Sequence, residues 1–293
     1  MGPRFAKTAG PKDLTTLTAL SNVRISPSSA SRSIRSRGGV TGRAVLISGA
    51  AAWAIAMPRR ASLVISHPDI DVIVFDILGT MVDEPSGIRR GLRTLLPDRD
   101  DARTSELLEM WYRHVDEQQQ EVLAGRRPYA SSTVIDLEAA TRVAAEADIS
   151  EAKAVRSLAT SGQRLEQWPD SVPALDRIAS RFPVVGLSNA SQSALTRISA
   201  HAGLRWHQVL SAEDAHSYKP HPDVYRLAIT NAGCAPDRLL MVAAHAWDLR
   251  GARAVGMRTA YVERSVGDPP SAMDSFDMHA KSLDDLATSL SAT

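Results

Sequence analysis

Five short apolar runs punctuate residues 71–264, and the stretches between the last four have the length and pattern of helices. The runs are DVIVFD (71–76), FPVVGLSN (182–189), HQVLSAED (207–214), RLLMVAAH (238–245) and RTAYVER (258–264). A strand with one face in water alternates apolar and polar residues; these runs are continuous or nearly so, as expected of strands covered on both faces. Between them, SQSALTRISAHAGL (191–204), HPDVYRLAITNAG (221–233) and WDLRGARAVG (247–256) are each long enough for a crossover helix, the latter two closed by glycine. The pattern predicts an α/β chain with a doubly wound parallel sheet.

The first strand is separated from the second by about a hundred residues, where one crossover unit needs about thirty. Most of that interval reads as helix. Leu107, Met110, Trp111, Val115 and Val122 fall near helical spacing within residues 102–125, and residues 134–147 and 149–159 continue the pattern. An all-helical insertion after strand one makes a cap over residues 86–168, the chain returning at WPDSVPALDRI (168–178). The core is then expected at 69–85 and 169–270, with 271–293 as a separate C-terminal segment.

Composition sets the limits. A chain of 293 residues, 44% hydrophobic and 23% charged, can bury one large core or two unequal ones. The 34 lysines and arginines against 33 acids leave no overall field to attract nucleic acid or an anionic membrane, so specificity must come from a local site. The single cysteine, Cys234, rules out an internal disulfide framework and is compatible with a reducing cytoplasm.

Residues 1–68 differ in kind. They hold one acid, Asp13, against ten lysines and arginines, with a serine-rich stretch in the middle, and most of the segment is expected to be disordered. Its apolar run AVLISGAAAWAIAM (44–57) is about a third too short to span a bilayer as a helix. Three readings stay open: a targeting extension, an interfacial or packed short helix, or, the preferred one, an upstream start codon with the true beginning near Met57.

In an open α/β sheet, ligands bind at the carboxyl ends of the strands, where the winding order reverses. Asp76, Ser188 with Asn189, the loop leading to Lys219, and His245 with Asp248 all occupy such ends. Lys219 follows Ser188 by 31 residues and Asp248 follows Lys219 by 29, close to one strand–helix unit each time, so all can converge on one crevice beneath the cap. Asp76 ends an apolar strand, and Gly79 lets the backbone turn before Thr80. A carboxylate so placed can serve as a nucleophile that forms an ester with its target, or simply cap the turn. Lys219 is the natural counter-charge that keeps Asp76 ionised. Ser188 and Asn189, with the N–H groups of the helix start that follows, could hold a carboxylate or phosphate, or act as a helix cap alone.

The segments FDILGT (75–80), LSNAS (187–191), YKPHPDVY (218–225) and AWDLRGARAVGMRTAYV (246–262) together resemble the four motifs of the haloacid dehalogenase superfamily, most of all its type II 2-haloacid dehalogenase branch. The resemblance covers about 71–265 and implies a Rossmann-like core with a helical cap, Asp76 as nucleophile, catalytic roles for Lys219 and Asp248, and substrate positioning by Thr80, Ser188, Asn189 and Tyr225. It implies a hydrolytic dehalogenase that turns short 2-haloalkanoic acids into 2-hydroxy acids without cofactor or metal. Phosphatases of the superfamily carry a second aspartate two residues after the nucleophile, where this chain has Leu78, and further carboxylates for magnesium near His245. A Mg²⁺-dependent phosphatase and a catalytically weak binding protein are the alternatives.

The chain departs from the branch at several positions. Leu78 stands where an aromatic is usual, and Ala243 and His245 replace a serine and an asparagine that position water. His245 either supplies the missing hydrogen bond or is structural, and Trp247 is expected to wall the pocket or the core. The halide-binding arginine of the first cap helix follows a tryptophan; here Trp111 is followed by Tyr112, and Arg113 comes one later, rotated by about 100°. Arg113 is nonetheless the candidate for that role. The partner expected is a small halocarboxylate, and a homodimer built through the cap is left open.

Overall fold

The computed structural model describes residues 69–97 and 100–291, so the extension read over residues 1–68 lies outside the described residues. Six parallel strands form one sheet in the order β3-β2-β1-β4-β5-β6: β1 Val72–Phe75, β2 Val184–Ser188, β3 Gln208–Ser211, β4 Leu239–Ala243, β5 Arg258–Val262 and β6 Met278–Ala280. The winding direction reverses between β1 and β4, which places the crevice expected of such a sheet beside the end of the central strand β1.

The period-two alternation of side chains explains why β1 can be wholly apolar. Ile73 and Phe75 point to one face, with Leu240 and Val242 of β4, against α5 (Ser171–Ala179), α6 (Gln192–His201) and α9 (Leu283–Ser289). Val72 and Val74 point to the other, with Leu239 and Met241, against α7 (Pro222–Ala232) and α8 (Ala246–Ala254). Each such side chain contributes about 1.5–3 kcal/mol by leaving water. Gly186 of β2 is closely packed, since a Cβ there would stand 2.8 Å from Ile77 Cδ1 and would make that side chain shift.

Helices α1 (Glu84–Leu95), α2 (Asp101–Leu123), α3 (Ser132–Glu146) and α4 (Ala152–Ala159) fill the interval between β1 and α5. They bury a cluster of their own around Leu107, Trp111, Ala139, Val143 and Leu158, with Ile88 and Leu92 from α1. The insert is therefore a helical cap with a separate core. It begins two residues before the expected position 86, because Asp83 accepts a hydrogen bond from Ser86 N and caps α1 at Glu84.

The entry and exit of the cap are clipped together. Val82 bridges Gln167, Asp83 N donates to the Glu166 carbonyl at 2.9 Å, and Ser171 Oγ donates to the Met81 carbonyl at 2.7 Å. The C-terminal segment does not stand apart from the core: β6 pairs with β5 in parallel, and Leu283 and Leu286 of α9 join the core cluster. Its signal was weak because the β6 triplet carries a polar, exposed His279 at its centre.

Candidate active site

Asp76 is the first residue beyond β1, and its backbone is still tied to the sheet by N–H donation to the Val242 carbonyl at 2.9 Å. The turn that follows puts Gly79 at φ +78°, in the left-handed region that glycine tolerates best. Thr80 then folds back. Its hydroxyl donates to Asp76 Oδ2 at 2.7 Å and accepts from Ala244 N at 2.9 Å, joining the ends of β1 and β4 through one side chain. Arg264 braces the same turn, donating to the Thr80 carbonyl at 3.0 Å while paired in two places with Asp170.

The other oxygen of Asp76 faces a cation. Lys219 Nζ lies 2.9 Å from Asp76 Oδ1 and 2.8 Å from Asp248 Oδ2. Tyr225 completes the chain by donating to Asp248 Oδ1 at 2.7 Å, and the Gly251 backbone presses so close to the Tyr225 hydroxyl that a Cβ there would stand 2.4 Å away. Burial works against the Lys219 charge, yet the two carboxylates outweigh it and raise the lysine above its ordinary range, so it stays protonated. Burial raises Asp248, with Lys219 and Tyr225 pulling back through charge and hydrogen bonds. Tyr225, pushed up by burial and by Asp248, remains a hydrogen-bond donor.

A cavity of about 270 Å³ opens onto this chain between sheet edge and cap. Asp76, Leu78, Ser188, Asn189, Lys219, His245 and Trp247 line it from the sheet side. Asn189 is fixed at both ends, its Oδ1 accepting from Lys219 N at 2.8 Å and its Nδ2 donating to Gln119 Oε1 of the cap at 3.3 Å. His245 immediately precedes α8, stacks on Trp247 with ring centres 5.8 Å apart, and places Nε2 3.3 Å from the Leu78 carbonyl. Thr80, Tyr225 and Asp248 are fully buried behind this wall, so they orient Asp76 and Lys219 from the rear and do not face a ligand directly.

Two sequence expectations are corrected by this geometry. Arg113 is exposed on α2 and is not on the cavity wall; the preceding residue, Tyr112, is there instead, since a step of one residue turns a helical side chain by about 100°. The helix start after Ser188 is not open to an anion either. Gln192 N donates to Glu213, Ser191 N to Ser132, and Ala194 N to Ser191, so protein side chains already occupy those donors.

The cap supplies wall residues that the motifs did not mark: Glu84 at the start of α1, and Tyr112, Val115, Asp116 and Gln119 along one face of α2. The spacing of the latter four, three and four residues apart, was the available signal. Burial and the nearby Asp76 charge push Glu84 up to about 7. The Tyr112 hydroxyl oxygen is buried without a hydrogen-bond partner. Among the described residues, no group of three or more His, Cys, Asp or Glu side chains is arranged to hold a metal ion, and no helix is long and apolar enough to cross a membrane.

A doubly wound parallel sheet, a helical cap inserted straight after its central strand, and a carboxylate at that strand's end define a capped α/β enzyme. Residues 70–256 match the haloacid dehalogenase-like hydrolases, and the chain belongs to that family. It is similar to (S)-2-haloacid dehalogenase 4A of Burkholderia cepacia, 27% identical over 201 residues that cover 67% of this chain and 84% of the relative. It is also similar to (S)-2-haloacid dehalogenase H-109 of Pseudomonas putida, 29% identical over 67% of this chain and 86% of the relative. Among solved structures, the L-2-haloacid dehalogenase PA0810 superposes with a TM-score of 0.70 at 26% identity, over 76% of this chain and all of the other. The defluorinating L-2-haloacid dehalogenase Rha0230 gives 0.69 at 27% identity, over 76% and 96%.

Proposed function

We propose that the protein hydrolyses the carbon–halogen bond of short 2-halo acids through an ester on Asp76. The observation that carries this reading is the buried chain Asp76–Lys219–Asp248, in which a carboxylate on the cavity wall has one oxygen fixed by Thr80 and the other by an ammonium. An Asp76 oxygen attacks C2 of the substrate from the face opposite the halogen. The C–halogen bond breaks, halide leaves with the bonding pair, and the new C–O bond is the ester. A water then adds to the ester carbonyl carbon of Asp76; collapse of that adduct frees the 2-hydroxy acid and restores the carboxylate. Lys219 passes a proton to Asp248 as it takes one from the water, and burial, which raises the Asp248 pKa, suits that carboxylate to receive it.

A halide departs without a proton, which fits Leu78, an apolar side chain, at the place where a phosphatase would need an acid. The similar proteins, named as (S)- or L-2-haloacid dehalogenases, point the same way. Single-turnover reaction with 2-chloropropionate in ¹⁸O-water tests the reading: label is expected in the carboxyl of Asp76, with halide released and lactate formed. An unlabelled Asp76, or an Asp76→Asn variant that turns over like the parent, would refute it. Phosphate release from an aryl phosphate, lost with EDTA and unaccompanied by halide release, would favour the phosphatase alternative.

A further inference from the structure

A tighter recess of about 40 Å³ lies under the cap and shares Leu78, Glu84, Val115, Gln119 and Asn189 as wall with the cavity at Asp76. Glu84 lies on the wall common to both spaces, and Asp136 of α3 lines the inner one. A space of that size accepts one small group, since a water requires about 10–15 Å³ on this scale. Among the described residues lining the two spaces, Lys219 is the only lysine or arginine, and its ammonium is already bonded to Asp76 and Asp248.

The recess therefore holds two carboxyl groups and, among its lining residues, no lysine or arginine to pair with them. Burial, and after it the Asp76 charge, disfavours an ionised Glu84; burial, and after it Glu84, likewise raises Asp136 well above the ordinary carboxylate range. The Tyr112 hydroxyl beside Glu84 has no partner of its own. A hydrocarbon tail would give the two carboxyl groups no partner, and a further carboxylate would bring no compensating charge. A cationic N–H donor supplies the missing counter-charge, favouring the ionised forms of Glu84 and Asp136 and pairing with them in a space screened from water.

We propose that Glu84 determines which 2-halo acids this cavity accepts, selecting those whose side chain ends in an ammonium or similar N–H donor. The acid end and the halogenated carbon lie at Asp76, Ser188 and Asn189, and the donor enters the recess between Glu84 and Asp136. The whole substrate is then close to neutral, in keeping with a wall that holds more acids than bases. The inference rests on Asp76 attacking the halogenated carbon, but its recognition half is independent of chemistry.

Two matched pairs test it. For turnover, halide release from 3-amino-2-chloropropanoate is compared with that from 2-chlorobutanoate, which replaces the ammonium by a methyl group, each corrected for the enzyme-free rate at pH 7. For binding alone, calorimetry compares 3-aminopropanoate with butanoate. The ammonium member is expected to be favoured about tenfold in kcat/KM and in affinity, and Glu84→Gln is expected to abolish both preferences, chiefly through KM. Equal use of both members, or a preference that survives Glu84→Gln, overturns the inference. If neither chloro acid nor 2-chloropropionate releases halide, the dehalogenase reading fails, while the calorimetric pair still decides the role of Glu84.

Discussion

Lys219 Nζ reaches Asp76 Oδ1 at 2.9 Å with both side chains more than nine-tenths buried, and among the described residues it is the one cation paired with Asp76. Replacing Lys219 by Ala leaves Asp76 and Asp248 as neighbouring buried anions. Loss of one partner from a buried pair costs about 3–5 kcal/mol, and halide release is expected to fall about a hundredfold to a thousandfold. Urea midpoints and steady-state rates check this. Lys219→Arg should not restore the rate, because a planar fork cannot take the place of a compact ammonium between two carboxylates.

Gly79 controls the position of His245. A Cβ at residue 79 would stand 2.6 Å from His245 Nε2 on a backbone at φ +78°. Gly79→Ala should destabilise the protein by about 1–2 kcal/mol from the left-handed conformation alone and should move the imidazole off the cavity wall. Thermal melts measure the first effect; a crystal structure of the variant measures the second.

Stability should fall with pH through the neutral range. Glu84 is raised from 4.5 to about 7 in the fold, so between those values the folded state binds the extra proton. Its contribution is present in full below about 4.5 and is lost as pH rises through about 7. Denaturant titrations at pH 5 and pH 8 should show the parent less stable at pH 8. Glu84→Gln, which has no proton to lose, should narrow that difference; an unchanged difference in the variant would show that other groups cause it.

Tyr112 and Arg113 should differ sharply in what their replacement does. Arg113→Ala is expected to leave halide release within twofold, since the side chain is exposed away from the cavity. Tyr112→Arg places a cation on the wall beside Glu84 and should raise kcat/KM for 2-chloropropionate about tenfold, as a charge-assisted contact to an anionic substrate would. Halide assays on the two variants decide between the positions.

Five of the strands were legible because each carries a continuous or nearly continuous apolar run, as a strand covered on both faces does. The sixth was not: Met278–Ala280 alternates in the manner of any short polar segment, and only pairing with β5 makes it a strand. Asp76 and Asn189 stood out because a polar residue at the end of an apolar run is conspicuous, and Lys219 because it lies about one strand–helix unit from both Ser188 and Asp248. Glu84 did not, for an acid at a helix start is ordinary, and what singles it out is the burial and neighbouring charge that the cap creates. The choice between Tyr112 and Arg113 turns on which side of α2 faces the sheet, a rotation that hydrophobic spacing near Trp111 constrains too loosely to settle.

The clip formed by Val82 with Gln167 and by Ser171 with Met81 makes the whole helical insert a detour with both ends fastened at one point. Such a detour is exchangeable. Its residues can drift, lengthen or be transplanted from another chain while the strand bearing Asp76 keeps its neighbours, so new selectivities are open to evolution or grafting without rebuilding the reactive carboxylate.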